Sequence, residues 1–267
     1  MADFRFGTGG GDTFAAGAER AVFFGFGGDD SLTGSAEADF LFGNEGDDTL
    51  AGNAGNDLLD AGTGDDTVNT GAGDDLVFAD AGNDSVGGMA GNDTVFGGRG
   101  EDFIAWNDPT GDLVFGDEDN DTVIGGDVAA DTIFGGTGDD LVRAFATDAA
   151  AATAADDLHG DAGNDVVLGG NAADTIEGGE GDDTMAGNGG ADVFVFRAAE
   201  ATGDDVVNDF SRADDTVRLV GFGAGFDALA NLDQTAEGAV LDLGDGDSVL
   251  FLGRLVADFA AGDFVLA

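Results

Sequence analysis

Aspartate is the residue of this chain with the means to do chemistry, and its spacing is regular. Written in windows of nine, residues 43–105 read GNEGDDTLA, GNAGNDLLD, AGTGDDTVN, TGAGDDLVF, ADAGNDSVG, GMAGNDTVF and GGRGEDFIA without a gap. The frame extends to twenty windows over residues 7–195, with interruptions at Trp106, Gly125 and residues 144–150. Position 6 is Asp in nineteen of the twenty, Ala21 being the departure, and position 4 is Gly in thirteen. With no Cys, thiolate metal sites are excluded, and beside a single His what the chain offers is oxygen: carboxylates and Gly-rich carbonyls. Hard cations that take six to eight oxygens in irregular geometry, calcium above all, suit such a donor set.

The charge points the same way. The 267 residues carry 56 Asp plus Glu against eight cations, all Arg, for a formal net charge of -48. A compact chain holds that much repulsion only with counter-ions. Disorder fits badly, because 42% of the residues are hydrophobic and 22 are Phe. Nucleic acid and anionic membrane surfaces need basic patches, so neither is an expected partner. No apolar run reaches the length of a membrane span, and the first residues show no cleavable signal.

The elements that must position the aspartates follow from the rest of the window. Position 8 is apolar in all twenty, from Phe14 to Phe194. Positions 7–9 are rich in β-branched and aromatic residues, which predicts three-residue strands with position 8 inward and 7 and 9 outward. Glycines before them allow tight turns. Two windows make an 18-residue coil, and ten coils stack by parallel pairing to roughly 48 Å.

This pattern resembles the repeats-in-toxin (RTX, haemolysin-type) calcium-binding nonapeptide family. The resemblance implies an all-β, right-handed parallel β-roll over residues 1–195, with calcium between successive turns. It implies metal ligands at Asp48, Asp57, Asp66, Asp75, Asp84, Asp93 and Asp102, followed by Asp30, Asp121, Asp140, Asp165 and Asp183. Windows without Gly at position 4, those ending at Phe24, Phe42, Phe115, Ile124, Phe134, His159 and Glu177, are expected to include turns without metal, and Asp156 is expected to matter less than Asp75. Residues 196–267 form a small C-terminal β capping module, with a hairpin around Gly244-Asp245-Gly246-Asp247. The last five residues, DFVLA, resemble the uncleaved signal of type I secretion substrates, which makes the type I secretion apparatus a partner and the location extracellular or cell-surface.

No enzyme is expected. The repeats begin at Gly7, which leaves no room upstream for a catalytic domain. His159 stands alone at an outward position 9, a surface residue without the second His or the GxSxG of a hydrolase. Trp106 and Pro109 mark a bulge rather than a carbohydrate platform. The reading is a secreted, non-catalytic calcium-binding protein with a structural or adhesive role. The alternatives are a detached module of a larger secreted enzyme or epimerase, and an ice- or ligand-binding solenoid. The last is suggested by the rank Thr13, Ser31, Thr49, Thr67, Ser85, which Phe103 and Leu141 break. One face holds Phe24, Phe42, Phe78, Phe96, Phe115 and Phe134 at outward positions. It is expected to be covered by the C-terminal module, by a homodimer or by an apolar partner.

Overall fold

A computed structural model describes residues 1–145, 152–199 and 203–267, so residues 146–150 of the long insertion lie outside the described residues. The chain winds as a parallel β-solenoid. Alternate windows fall on two facing sheets of thirteen and fourteen strands, and each strand pairs in parallel with the strand two windows away. The register is that of the nonapeptide: Thr49 pairs with Thr67, and Phe96 with Phe78 and Phe115.

Position 8 fills the core. Phe23, Leu32, Leu41, Leu50, Leu59, Val77 and Val95 are fully buried, and the rank continues through Ile104, Val123, Ile133, Leu158, Ile176 and Phe194. Many strands are longer than three residues. Thr49–Ala54, Leu58–Thr63 and Thr94–Arg99 each span six, because positions 1–3 of the next window stay in the ladder. A residue with positive φ at position 2, such as Asn53 at 76°, bends each strand without breaking its pairing. Inward positions are therefore 6, 8 and the following 1, the period-two alternation of a strand carried through the bend.

Trp106 is buried against the core, so its insertion adds packing and offers no platform. The Thr/Ser rank is in register from Thr13 to Ser85 and gives way to Phe103.

Parallel pairing runs on past the last repeat. Val193–Arg197 pairs with Thr216–Val220, which pairs in turn with Phe264–Leu266. Asp204–Val207 pairs with Asp247–Leu252, to which Gly238–Gly244 adds in antiparallel fashion through the Asp245-Gly246 turn. Phe210, Phe251, Phe259 and Phe264 stack together and meet Phe194, closing the end of the core. The C-terminal module thus lies in line with the stack. Its rings do not cover the aromatic face, where the groove is lined by residues between Gly62 and Ala162.

That face differs from the open ladder expected. Phe6, Phe24 and Phe42 stack on one another; Asp60 interrupts; then Phe78, Phe96, Phe115, Phe134 and His159 form a second stack with centroids 4.5–5.2 Å apart. Each ring covers its neighbour, so the rings from Phe24 to Phe134 are half-buried, and Phe6 at the open end stays exposed.

Candidate metal centre

The inward position 6 places every repeat aspartate at a sheet edge, where the strand emerges from its turn. The carboxylates form two ladders. One edge carries Asp30, Asp48, Asp66, Asp84, Asp102, Asp121, Asp140, Asp165 and Asp183, all buried. The other carries Asp39, Asp57, Asp75, Asp93, Asp112, Asp131, Asp156, Asp174 and Asp192, also buried.

Within a ladder each aspartate is locked to its neighbours by main chain. The Asp30 N–H donates to Asp48 Oδ1 at 2.6 Å, and the Asp66 N–H donates to Asp84 Oδ1 at 2.7 Å. The Asp30 carbonyl accepts from the Thr49 N–H. One carboxylate oxygen thus replaces a carbonyl in the sheet ladder and fixes the side chain.

The second oxygen is different. Oδ2 of Asp30, Asp48, Asp57, Asp66, Asp75, Asp84, Asp93, Asp102, Asp112, Asp121, Asp140, Asp156, Asp165 and Asp183 is buried with no hydrogen-bond partner in the protein. A buried carboxylate oxygen without a partner in the protein is costly, and fourteen of them in register fit the donor set of a cation. Glycine at position 1 makes room beside them. A methyl on Gly135 would stand 2.6 Å from both Asp140 Oδ2 and the Gly160 carbonyl oxygen of the next coil. A carboxylate oxygen and a main-chain carbonyl therefore converge on one small space, a hard-oxygen cradle. Among the described residues no three acidic or imidazole side chains are grouped so as to hold a metal ion by themselves. A cation here would draw its further oxygens from turn carbonyls and water, which is calcium's habit.

The electrostatics agree. Burial first, then neighbouring aspartates, push Asp57, Asp66, Asp75 and Asp84 up to about 7 against the pull of their backbone N–H bonds. The same causes raise Asp121 and Asp165 to about 8, and Asp48, Asp93, Asp102, Asp140 and Asp183 to about 6. Asp30 is raised as well. Without a cation these groups resist ionising.

All twelve aspartates singled out from the sequence thus share one geometry. Asp112 and Asp156 have it too, although their windows lack the position-4 glycine. Asp205 continues the first ladder beyond the repeats, its Oδ1 accepting from the Asp183 N–H, and Asp215 continues the second from Asp192. No nonapeptide register marks either one.

His159 is not the free surface residue expected. Its ring stacks on Phe134 at 4.5 Å, and its nitrogens lie 3.2 Å from Asp157 and 3.5 Å from Glu177. Burial pulls the imidazole down, but Glu177, Asp157 and Asp161 outweigh it and leave His159 raised.

No curated protein matches the sequence. Among solved structures, the extracellular lipase LipA of Serratia marcescens is similar at 21% identity and a TM-score of 0.42, over 80% of this chain and 40% of the lipase. A subunit of the Azotobacter vinelandii mannuronan C5-epimerase is similar at 24% identity and a TM-score of 0.26, over 56% of this chain and 78% of that subunit. The chain thus spans well under half of the lipase. A profile of the RTX calcium-binding nonapeptide repeat matches residues 6–41, 24–59, 51–86, 69–104, 108–142, 126–148 and 159–194. Those matches take in every unpartnered carboxylate but Asp156, and the chain belongs to the RTX calcium-binding nonapeptide-repeat family.

Proposed function

We propose that this chain is a secreted, non-catalytic β-roll that folds on binding several calcium ions outside the cell, with a structural or adhesive role there. The observation that carries the reading is the rank of fourteen buried Oδ2 atoms without a partner. Calcium is held at Asp30, Asp48, Asp66, Asp84, Asp102, Asp121, Asp140, Asp165 and Asp183 on one edge. On the other edge it is held at Asp57, Asp75 and Asp93, joined by Asp112 and Asp156. Bound calcium supplies charge neutralisation to each ladder, and the turns supply position. Since such a site does not exist in the unfolded chain, binding free energy becomes folding free energy.

Affinity in the range of about 10⁻⁴–10⁻³ M, usual for extracellular modules, keeps the chain unfolded in a calcium-poor cytosol and folds it outside. Export by the type I apparatus requires that order of events. The terminal DFVLA segment fits it: in the folded chain Phe264–Leu266 is a sheet strand, and Asp263 accepts from the Ala260 N–H. Circular dichroism tests the reading. The β signal is expected in millimolar calcium and lost in EDTA, and an unchanged spectrum in EDTA would refute calcium-driven folding.

A further inference from the structure

The thirteen-stranded sheet carries a second ordered rank, which the calcium turns do not require. Position 2 of its strands reads Asn44, Gly62, Asp80, Gly98, Asp117, Gly136, Asp161, Gly179, and consecutive members are paired in register. Every one has positive φ. Gly, Asn and Asp are the residues that tolerate that conformation, so backbone alone permits any of the three at each place. The alternation is an additional feature. Acidic side chains stand on every second coil at Asp80, Asp117 and Asp161, about 9.6 Å apart from strand spacing, and Gly98 and Gly136 leave notches between them.

Beside this rank runs the stack Phe78, Phe96, Phe115, Phe134. The rank lines a groove of about 830 Å³, to which the stack contributes Phe115 and Phe134. Arg99, on its far wall, is paired with Glu118 at 3.1 Å, so the groove remains acidic. The ring planes are within 7° of parallel at about 5 Å, so ring faces are covered by neighbours and edges meet the groove. A sugar needs an open ring face and finds none here. A second copy of the chain would bring an acidic face against the same sign of charge.

We propose that this groove docks a cationic polyproline II segment, with Lys or Arg at every third residue. Polyproline II has three residues per turn at about 3.1 Å rise, a repeat of about 9.3 Å. That period matches the carboxylate spacing closely enough for successive cations to reach Asp80 and Asp117, with the next at Asp161 beside His159. Its prolines lie against the ring edges and over the glycine notches. Aromatic-lined grooves favour this conformation because it is already ordered before binding.

The test uses the full chain in millimolar calcium and a fluorescent peptide of five Lys-Pro-Pro repeats, read by anisotropy. One-to-one, salt-sensitive binding is expected. A peptide of the same composition with its lysines in one block should bind roughly tenfold more weakly, because register and not total charge is read. The Asp80→Asn/Asp117→Asn double variant, with an unchanged calcium-dependent dichroism spectrum, should lose affinity by a similar factor, as should Phe115→Ser. Equal affinity for the block peptide, or an undiminished double variant, would overturn the proposal in favour of diffuse charge attraction. A neutral oligosaccharide that binds as tightly, or a calcium-dependent dimer that the peptide fails to dissociate, would overturn it in favour of those occupants.

Discussion

The two edges of the roll are built from one repeat, yet they differ. On the first edge every aspartate from Asp30 to Asp183 has an unpartnered Oδ2. On the second edge some turns close on themselves: Asp39 Oδ2 accepts from the Ser35 N–H, Asp131 from Gly126, Asp174 from Gly170 and Asp215 from Ser211. The residue at position 4 separates most of the cases. Open turns have Gly there with positive φ, as at Gly55, Gly73 and Gly100; the closed turns have Glu37, Ala129, Ala172 and Ala213 without it. A turn that cannot take the left-handed bend folds its own N–H onto the carboxylate and satisfies internally what an open turn leaves for a cation. The first edge is a continuous ladder of unpartnered oxygens, and the second is a broken one.

Removing one carboxylate from each edge gives the largest expected contrast. Asp84→Ala and Asp131→Ala both delete an Oδ1 that accepts a neighbour's N–H, from Asp66 and Asp112 respectively. The Oδ2 distinguishes them. The calcium midpoint of folding should rise several-fold for Asp84→Ala and stay near wild type for Asp131→Ala. Equal shifts in a calcium titration would erase the distinction between edges.

Changing the position-4 residue tests the cause. Gly100 has φ of 116°, and a methyl there would run into the Gly82 carbonyl of the preceding coil. Gly100→Ala should cost about 1–3 kcal/mol, the scale of a strained backbone residue, seen as a lower melting temperature in calcium. Ala172→Gly on the second edge should cost less, about 0.5–1 kcal/mol from chain entropy, and should lower the calcium midpoint if the turn opens. A Gly100→Ala variant as stable as wild type would break the account.

Much of this was legible in the sequence, and the reasons are local. A nine-residue period with a fixed Asp and a fixed apolar position dictates parallel stacking, since no other register buries Leu50, Leu59 and Val68 together while aligning Asp48, Asp57 and Asp66 on the edges. Strand length was less legible: the strands run on because Asn53 and its equivalents bend without leaving the ladder, and composition predicts a turn at that place. Asp121 shows the limit of reading glycine as a signal. Its window has Asp119 at position 4, which takes φ of 79° and keeps the turn open as Gly would. Asp112 and Asp156 are open in turns that follow insertions, where the frame gives no guidance. Nothing in the repeat foretold that outward phenylalanines would cover one another.

The pH dependence of calcium binding should also divide by turn, open against closed. Burial raises Asp66 and Asp84 on the first edge to about 7, and Asp57 and Asp75 on the second edge to about 7, all in open turns, while Asp131, raised to about 6, keeps its Oδ2 on the Gly126 N–H. A carboxylate raised in the folded state stabilises the metal-free fold at pH below its unfolded value near 4, and this support is lost as pH rises through 6–8. Calcium needs the ionised form, so binding releases protons and the midpoint should climb as pH falls from 8 to 6. Asp84→Ala should release fewer protons per chain than wild type in an unbuffered titration, and Asp131→Ala should differ little from wild type.

The smallest effect provides a control that lies on neither edge. In saturating calcium the fourteen open-turn carboxylates are held ionised, so the pH dependence that remains between 6 and 8 comes from groups outside that set, Asp192 at about 7 among them. His159 is another, since Glu177, Asp157 and Asp161 outweigh burial and raise it above its ordinary 6.5. A raised imidazole stabilises the fold fully below the unfolded value and loses that contribution as pH rises through the folded one. Melting temperature in excess calcium should therefore fall slightly from pH 6 to 8, by an amount corresponding to about 1 kcal/mol or less for a half-buried pair. His159→Phe keeps the stack on Phe134 and removes its titration, so its melting temperature should vary less than wild type over that range. It also strips Glu177 of one partner while leaving Arg197, which donates to the same carboxylate. A slope undiminished in His159→Phe would mean that the imidazole contributes nothing to it, and the separation between edge chemistry and face chemistry would fail.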